Sequence, residues 1–367
     1  MLKVLHVYKN YAPTPGGIES HIRQVAQGMT ARHLAQVTVL VANAGPTTTY
    51  EVMGGVRVIR AARLGELAST PLSLDLVRQI SRETADVIHL HVPYPVGELG
   101  YLLAGRGRRV VITYHSDVVR QWWARPLYEP MLHMIASQAR PLIATSPRYV
   151  ETSAFLRSLL RPCTIIPLGI DADRFVVAPE KSLAARRRWS WPLVLFVGRF
   201  RAYKGLPNLI EAVAGLKCHL LLVGAGPAEA ALRKLINERG LASQVSILND
   251  VTDDELPDLY AACSVFVLPS IYRSEAYGIS LLEAMASGRP VISTELGTGT
   301  SWINEAGKTG LVVPPNDPGA LRSAIEKLLA DRDWAEKLGE AGRSRVRANY
   351  TEDLMIDRLW DAYESGR

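Results

Sequence analysis

Between Val265 and Ser293 the chain switches from an apolar run to a helical pattern and back, and this switch limits the folds open to it. Val265-Phe266-Val267-Leu268-Pro269 is short, apolar and β-branched, the signature of a strand buried on both faces of a parallel sheet. From Ile279 to Ser287 the apolar residues fall at 279, 281, 282, 285 and 286, a helical spacing. Gly288 and Pro290 close that helix, and Val291-Ile292-Ser293 begins another buried strand. A strand, loop, helix and strand in this order make a parallel crossover unit, so the expected class is α/β.

In open α/β sheets ligands bind beyond the carboxyl ends of the strands, where the loop before Gly278 lies. Gly278 lets the backbone approach a ligand, and the amides of Ile279, Ser280 and Leu281 are expected to be free at the helix start, where the helix dipole favours phosphate. Glu275 in the loop, followed by Ala276 and Tyr277, can accept hydrogen bonds from hydroxyls. Glu283, inside the helix, is placed to hold a ribose diol. A second segment repeats the design with positive charge. The apolar run Leu193–Val197 leads into Gly198-Arg199-Phe200-Arg201-Ala202-Tyr203-Lys204-Gly205 and then a helix from Leu206. Arg199 offers a planar fork and Lys204 a compact charge, both suited to a diphosphate leaving group. Arg201 reads as surface.

Three further segments end strands with polar or glycine residues. Gly16-Gly17 follows the first strand and precedes a helix that starts near Ile18, with Glu19 in its first turn. His115 follows the apolar run Val110–Tyr114, and an imidazole there invites a general-base reading. Val223-Gly224-Ala225-Gly226-Pro227 lacks the third glycine of a dinucleotide fingerprint and reads as a strand-to-helix turn. Asp250-Val251-Thr252 follows another strand and is expected to meet a base through the backbone near Val251. No Asp-x-Asp sits where a metal-bound diphosphate would need it, so no metal is expected.

The 367 residues suggest two domains. No apolar run approaches the roughly 20 residues that span a bilayer. Met1–Tyr8 reads as a first strand rather than a signal peptide. Cys163, Cys218 and Cys263 are too scattered for a disulfide framework or a zinc site and read as core residues, pointing to the cytoplasm. The net charge of +6 is uneven: residues 1–170 hold 18 Lys+Arg against 10 Asp+Glu, whereas residues 171–367 hold 24 against 26. With no nucleic-acid motif, the basic first half points to an anionic membrane surface or a lipid diphosphate, and Trp122 and Trp123 between arginines suit either a membrane interface or packing in an interdomain cleft beside His115. The run Arg186-Arg187-Arg188-Trp189 is assigned no role.

Taken in order along the chain, Pro15-Gly16-Gly17-Ile18-Glu19, His115-Ser116-Asp117, Ile166-Pro167-Leu168-Gly169-Ile170-Asp171, Phe196–Arg199 with Lys204-Gly205, Val223–Pro227, the Glu275/Glu283 pair and Thr309–Pro314 resemble the retaining glycosyltransferases of family 4. One departure is Tyr277, where that family often has Phe. The resemblance implies a GT-B architecture of two facing Rossmann-like domains with parallel sheets and a last helix crossing back to the first domain. It implies an acceptor-side domain over 1–170 plus about 350–367, and a donor-binding domain over 171–349. It also implies that the Gly16-Gly17 loop approaches the donor diphosphate or acceptor, and that His115 helps bind the donor sugar rather than acting as a base, with Asp117 holding His115 or binding acceptor. The expected reaction moves a hexose from a nucleoside-diphosphate sugar to a lipid-linked or polysaccharide acceptor at the inner face of the cytoplasmic membrane. Gly297-Thr298-Gly299-Thr300-Ser301 resembles mannosyl- or rhamnosyl-type transferases of surface-polysaccharide assembly, so GDP-mannose is the first choice of donor and a UDP-hexose the second. A sugar-nucleotide epimerase of the same architecture and a non-catalytic nucleotide-sugar-binding protein are the alternatives.

Overall fold

A computed structural model describes residues 1–14, 16–118, 123, 125–159, 161–178, 180–181 and 191–365. The chain forms two compact units, one of Met1–Gly169 with Glu352–Arg367 and one of Ile170–Thr351. Pro15, Trp122 and the run 186–189 lie outside the described residues, whereas Trp123 is exposed.

The first unit contains β1 (Leu2–Val7), β2 (Ala35–Ala42), β3 (Thr49–Met53), β4 (Val56–Ala61), a small hairpin of β5 (Gly65–Leu67) and β6 (Thr70–Leu72), β7 (Val87–Val92), β8 (Arg109–Tyr114), β9 (Leu142–Ala144) and β10 (Thr164–Ile165). Its main sheet runs β10-β9-β8-β7-β1-β2-β4-β3. Every pairing is parallel except the edge strand β3 on β4. The central strands are almost wholly buried; all six residues of β7 are, as expected where helices cover both faces. The edge strand β3 and the hairpin were not foreseen. Thr49, Tyr50, Glu51 and Val52 are exposed, so β3 carries no buried apolar run to mark it. After β9 come two short helices, Pro147–Thr152 and Ala154–Ser158, separated where Ser153 leaves the helix and accepts from Leu156 N–H, as Ser146 does from Tyr149 N–H.

The second unit contains β11 (Leu193–Val197), β12 (His219–Val223), β13 (Val245–Leu248), β14 (Val265–Leu268), β15 (Val291–Thr294) and β16 (Gly310–Val313). They form one parallel sheet in the order β13-β12-β11-β14-β15-β16. β11 and β14 are adjacent at its centre although they are far apart in sequence. Strand order reverses there, because β12 and β13 extend to one side while β15 and β16 extend to the other. In open α/β sheets the ligand site lies beyond the strand ends at such a switch point. Cys218 and Cys263 are core residues as expected, while Cys163 is only half-buried.

Candidate functional site

The loops that leave β11 and β14 meet at Lys204 and Glu275. Lys204 Nζ donates to Glu275 Oε2 at 2.5 Å, and both side chains are about one-tenth exposed, at 11% and 9%. Ser270 Oγ donates to the same carboxylate oxygen at 2.8 Å. Burial disfavours the Lys204 ammonium, but the Glu275 carboxylate outweighs it and the net shift is upward, so the lysine stays charged. The loop is itself tied down. Thr298 Oγ1 donates to Glu275 O at 2.8 Å, and Arg273 Nη1 donates to Gly297 O at 2.9 Å. Ser270 and Thr298 escaped the sequence reading as site residues, although Thr298 lies in the Gly297–Ser301 run noted there.

Gly205 follows Lys204 in the left-handed region at φ 66°. A Cβ there would stand 2.1 Å from Pro269 O, so only glycine lets the β11 loop lie against the β14 loop and bring Lys204 to Glu275. Gly278, at φ 88°, starts the helix Ile279–Ala286 and no side chain caps it. Leu281 N–H is not free as expected. The left-handed Gly278 folds its own carbonyl over the first turn and accepts from Leu281 at 2.9 Å. The amides of Ile279 and Ser280 have no acceptor among the described residues. Gly198 N–H donates to Val223 O at 3.0 Å, closing the ends of β11 and β12 together.

Glu283 lies one turn into the helix and is half-buried. Tyr260 Oη, fully buried, donates to its Oε2 at 2.5 Å. Burial pushes the Glu283 carboxyl up, with the Tyr260 bond and the Arg174 charge pulling the other way. Arg199 is exposed and has no ion-pair partner among the described residues. Tyr277 is buried. Val251 sits in the loop after β13, where Thr252 N–H and Oγ1 both donate to Glu255 Oε2 at 2.8 Å and end the turn.

In the first unit, Gly16 precedes the helix Gly17–Ala31. A Cβ at Gly16 would stand 2.1 Å from Glu19 Oε2, so the buried Glu19 carboxylate lies back over the helix start, where the dipole favours it. His115 is buried and shares a hydrogen bond with His91, Nε2 to Nδ1, at 3.0 Å. Tyr114 Oη and Ser153 Oγ donate to Asp117 Oδ1 at 2.9 and 2.6 Å. Four more histidines form one cluster with His115. His6, His21, His89, His91 and His115 are all under 5% exposed. Burial drives every one of them below the usual imidazole range, His6 to about 3 and His21 to about 4, so all are neutral near pH 7. His6, His89 and His91, and again His21, His91 and His115, place ring nitrogens within 4.8 Å of one another.

Two family models match the chain, "Glycosyltransferase Family 4" over residues 15–174 and "Glycosyl transferases group 1" over residues 186–345. The O-antigen chain mannosyltransferase C of Escherichia coli is 36% identical over 365 residues, covering 99% of this chain and 98% of that protein. D-rhamnosyltransferase WbpZ of Pseudomonas aeruginosa is 37% identical over 358 residues, covering 95% and 92%. Sucrose-phosphate synthase from Thermosynechococcus elongatus superposes with a TM-score of 0.83 at 25% identity, over 100% of this chain and 99% of that one. Two Rossmann-like units and this match give the chain the GT-B fold. No helix among the described residues is long and apolar enough to cross a membrane. The chain is a hexosyltransferase enzyme and belongs to glycosyltransferase family 4.

Proposed function

We propose that the chain transfers a hexose from a nucleoside-diphosphate sugar to a hydroxyl of a lipid-linked or polysaccharide acceptor, with retention at the anomeric carbon. GDP-mannose is the first-choice donor, by likeness to the mannosyl- and rhamnosyltransferase relatives, and a UDP-hexose is the second. The reading takes the second unit as donor-binding and the first as acceptor-binding. It assigns the chain to the inner face of the cytoplasmic membrane, with a basic first half drawn to anionic lipid.

The observation that carries this reading is the buried Lys204–Glu275 pair, held between two strand-end loops at a switch point. Lys204 keeps its charge, and two of its three N–H donors have no acceptor among the described residues. Those donors, with the exposed guanidinium of Arg199 and the amides of Ile279 and Ser280, are assigned to the diphosphate. Glu275 retains Oε1 for the hydroxyls of the sugar, and Glu283 retains Oε1 for the ribose diol. Gly198 and Tyr277 shape the donor site, and Val251 lines the base. Gly16 and Gly17 approach the diphosphate or acceptor from the first unit's sequence, and His115 orients sugar hydroxyls.

In the reaction, the bond from the anomeric carbon to the phosphate oxygen breaks and the bond to the acceptor oxygen forms on the same face. The acceptor proton passes to the departing phosphate oxygen. Charge accumulates on the diphosphate as the bond breaks, and that is where preorganised cations and amides lower the barrier most. A metal is not required by this donor set.

The test is a donor panel followed first by thermal shift and then by release of nucleoside diphosphate in the presence of a lipid-linked acceptor. GDP-mannose is expected to stabilise and to turn over. Glu275→Ala and Lys204→Ala are expected to lower turnover by roughly a hundredfold or more. Near-normal turnover in both variants overturns the site.

A further inference from the structure

The parallel register of β1, β7 and β8 puts a set of imidazoles on one face of the first unit's sheet. His6 on β1 stands opposite His89 on β7, and His91 stands opposite Thr113 on β8. Side chains two apart on a strand share a face, so His89 with His91, and Thr113 with His115 just beyond it, line up on that side. The last helix, Glu352–Glu364, brings Tyr363 to the same place. His89 Nδ1 lies 2.6 Å from Tyr363 Oη, and His89 Nε2 lies 2.7 Å from Thr113 Oγ1. Tyr363 Oη reaches His6 Nε2 at 3.5 Å, and His6 Nδ1 meets His91 Nε2 at 2.8 Å. His91 Nδ1 then meets His115 Nε2 at 3.0 Å.

The ring geometry says what occupies these contacts. His6 and His91 are within 19° of coplanar with centroids 5.2 Å apart; His91 and His115 are within 21° and 5.3 Å apart. Those separations are what two imidazoles give when their nitrogens point at each other along one line. A single proton fits each gap. A transition metal, needing about 2.0–2.1 Å to each nitrogen, does not fit between collinear nitrogens without the rings moving apart by roughly 1 Å. His21 packs edge-on against His91 and His115, at 72° and 69°, and neither of its nitrogens has a hydrogen-bond partner among the described residues.

A neutral imidazole has one donor nitrogen and one acceptor nitrogen. If His91 donates through one nitrogen it must accept through the other, and the same holds for His6. The direction of one hydrogen bond therefore sets the direction of the next. We propose that Tyr363, His6 and His91 form a hydrogen-bonded chain that fixes His115 in one tautomer, making them positioning residues for His115. The chain stands on its own geometry; its bearing on sugar transfer rests on the role proposed above for His115.

The test is nitrogen-15 labelling of the histidines in the intact protein at neutral pH, reading from two-bond nitrogen–proton correlations which nitrogen of His115 carries the proton. Wild type is expected to show His115 as a single tautomer. His91→Phe and His6→Phe keep a ring of similar size but no nitrogens, and both are expected to move the His115 signals towards the average of the two tautomers. Tyr363→Phe retains every imidazole and is the variant to use if a histidine change prevents folding; it is expected to alter the His6, His89 and His115 spectra together. Turnover is expected to fall on the order of tenfold with KM little changed, the scale on which partners of a functional imidazole act. A tautomer mixture in wild type, a His115 spectrum unchanged in the folded variants, or one equivalent of bound zinc overturns the chain. A changed His115 spectrum with unchanged turnover upholds the chain and removes the role proposed for His115.

Discussion

Lys204 Nζ and Glu275 Oε2 meet at 2.5 Å across two loops that belong to adjacent strands, so one ion pair both closes the fold locally and supplies the candidate donor site. These two contributions separate in a double-mutant cycle. Removing one partner leaves a buried charge without compensation, which costs about 3–5 kcal/mol. Lys204→Met and Glu275→Leu are each expected to destabilise on that scale. The double variant is expected to recover most of the stability and none of the turnover. Denaturant unfolding of the four proteins, alongside their transfer rates, checks both halves. Recovery of activity in the double variant would contradict the assignment.

Tyr260 gives a milder test. Its hydroxyl is the donor that holds Glu283 Oε2. Tyr260→Phe removes one hydrogen bond to a carboxylate and leaves the ring packing intact, at a cost of about 1–3 kcal/mol. With Glu283 assigned to the ribose, the variant is expected to raise KM for the donor severalfold and leave turnover at saturation near wild type. A fall in turnover at unchanged KM would place Glu283 elsewhere in the reaction.

The strand ends that carry these residues were legible because each buried strand announces itself as an apolar run closed by glycine or a polar residue. Val265–Leu268 and Leu193–Val197 formed where expected, and so did the helix after Gly278. What stayed hidden depended on backbone angles or on partners distant in sequence. Whether the Leu281 amide is free is set by the φ of Gly278, which the residue type permits but does not specify. That Lys204 is already paired to Glu275 depends on β11 lying beside β14. The histidine cluster went unseen because His6, His91 and His115 stand on or just after three different strands. The His89-x-His91 alternation was the available signal, and only the register of three strands turns it into a contact.

Five neutral buried imidazoles make the protein sensitive to acid. Each binds its proton more weakly in the folded state than the ordinary value of about 6.5, with His21 near 4 and His6 near 3. The unfolded chain therefore holds more protons as pH falls below about 6.5, and stability is lost through that range towards pH 4. Each such proton contributes about 1.4 kcal/mol per pH unit. The first denaturant-unfolding midpoint is expected to drop steeply between pH 7 and pH 5. A midpoint that holds constant over this interval would mean the cluster is not buried and neutral.

Glu98 acts in the opposite direction in the same unit. Its Oε1 accepts from Tyr94 N–H and Tyr128 Oη, each at 2.8 Å, while Oε2 is buried with no hydrogen-bond partner among the described residues. Burial pushes its carboxyl up to about 7, against the two hydrogen bonds. The folded state thus binds this proton more tightly than the unfolded chain, so raising the pH from the ordinary carboxylate range to about 7 costs stability. Over that window the loss is about 3 kcal/mol. Glu98→Gln keeps an oxygen for Tyr94 and Tyr128 and cannot ionise. The difference in stability between the variant and wild type is expected to shift in the variant's favour by that amount between pH 5 and pH 8, with the histidine contribution cancelling in the comparison.

Gly205 tests whether backbone shape alone builds the Lys204 site. At φ 66° an alanine is strained, and its Cβ would stand 2.1 Å from Pro269 O and 2.8 Å from Ile271 Cγ2. Ile271 N–H donates to Tyr203 O at 2.8 Å, so the two loops cannot part there without losing that bond as well. Gly205→Ala is expected to destabilise by about 1–3 kcal/mol and to draw Lys204 away from Glu275. Turnover should fall although no polar side chain has been changed. Thermal unfolding and transfer rates measured together decide the matter: a stable variant with full activity would show that the loops tolerate a wider spacing than the Lys204–Glu275 contact allows.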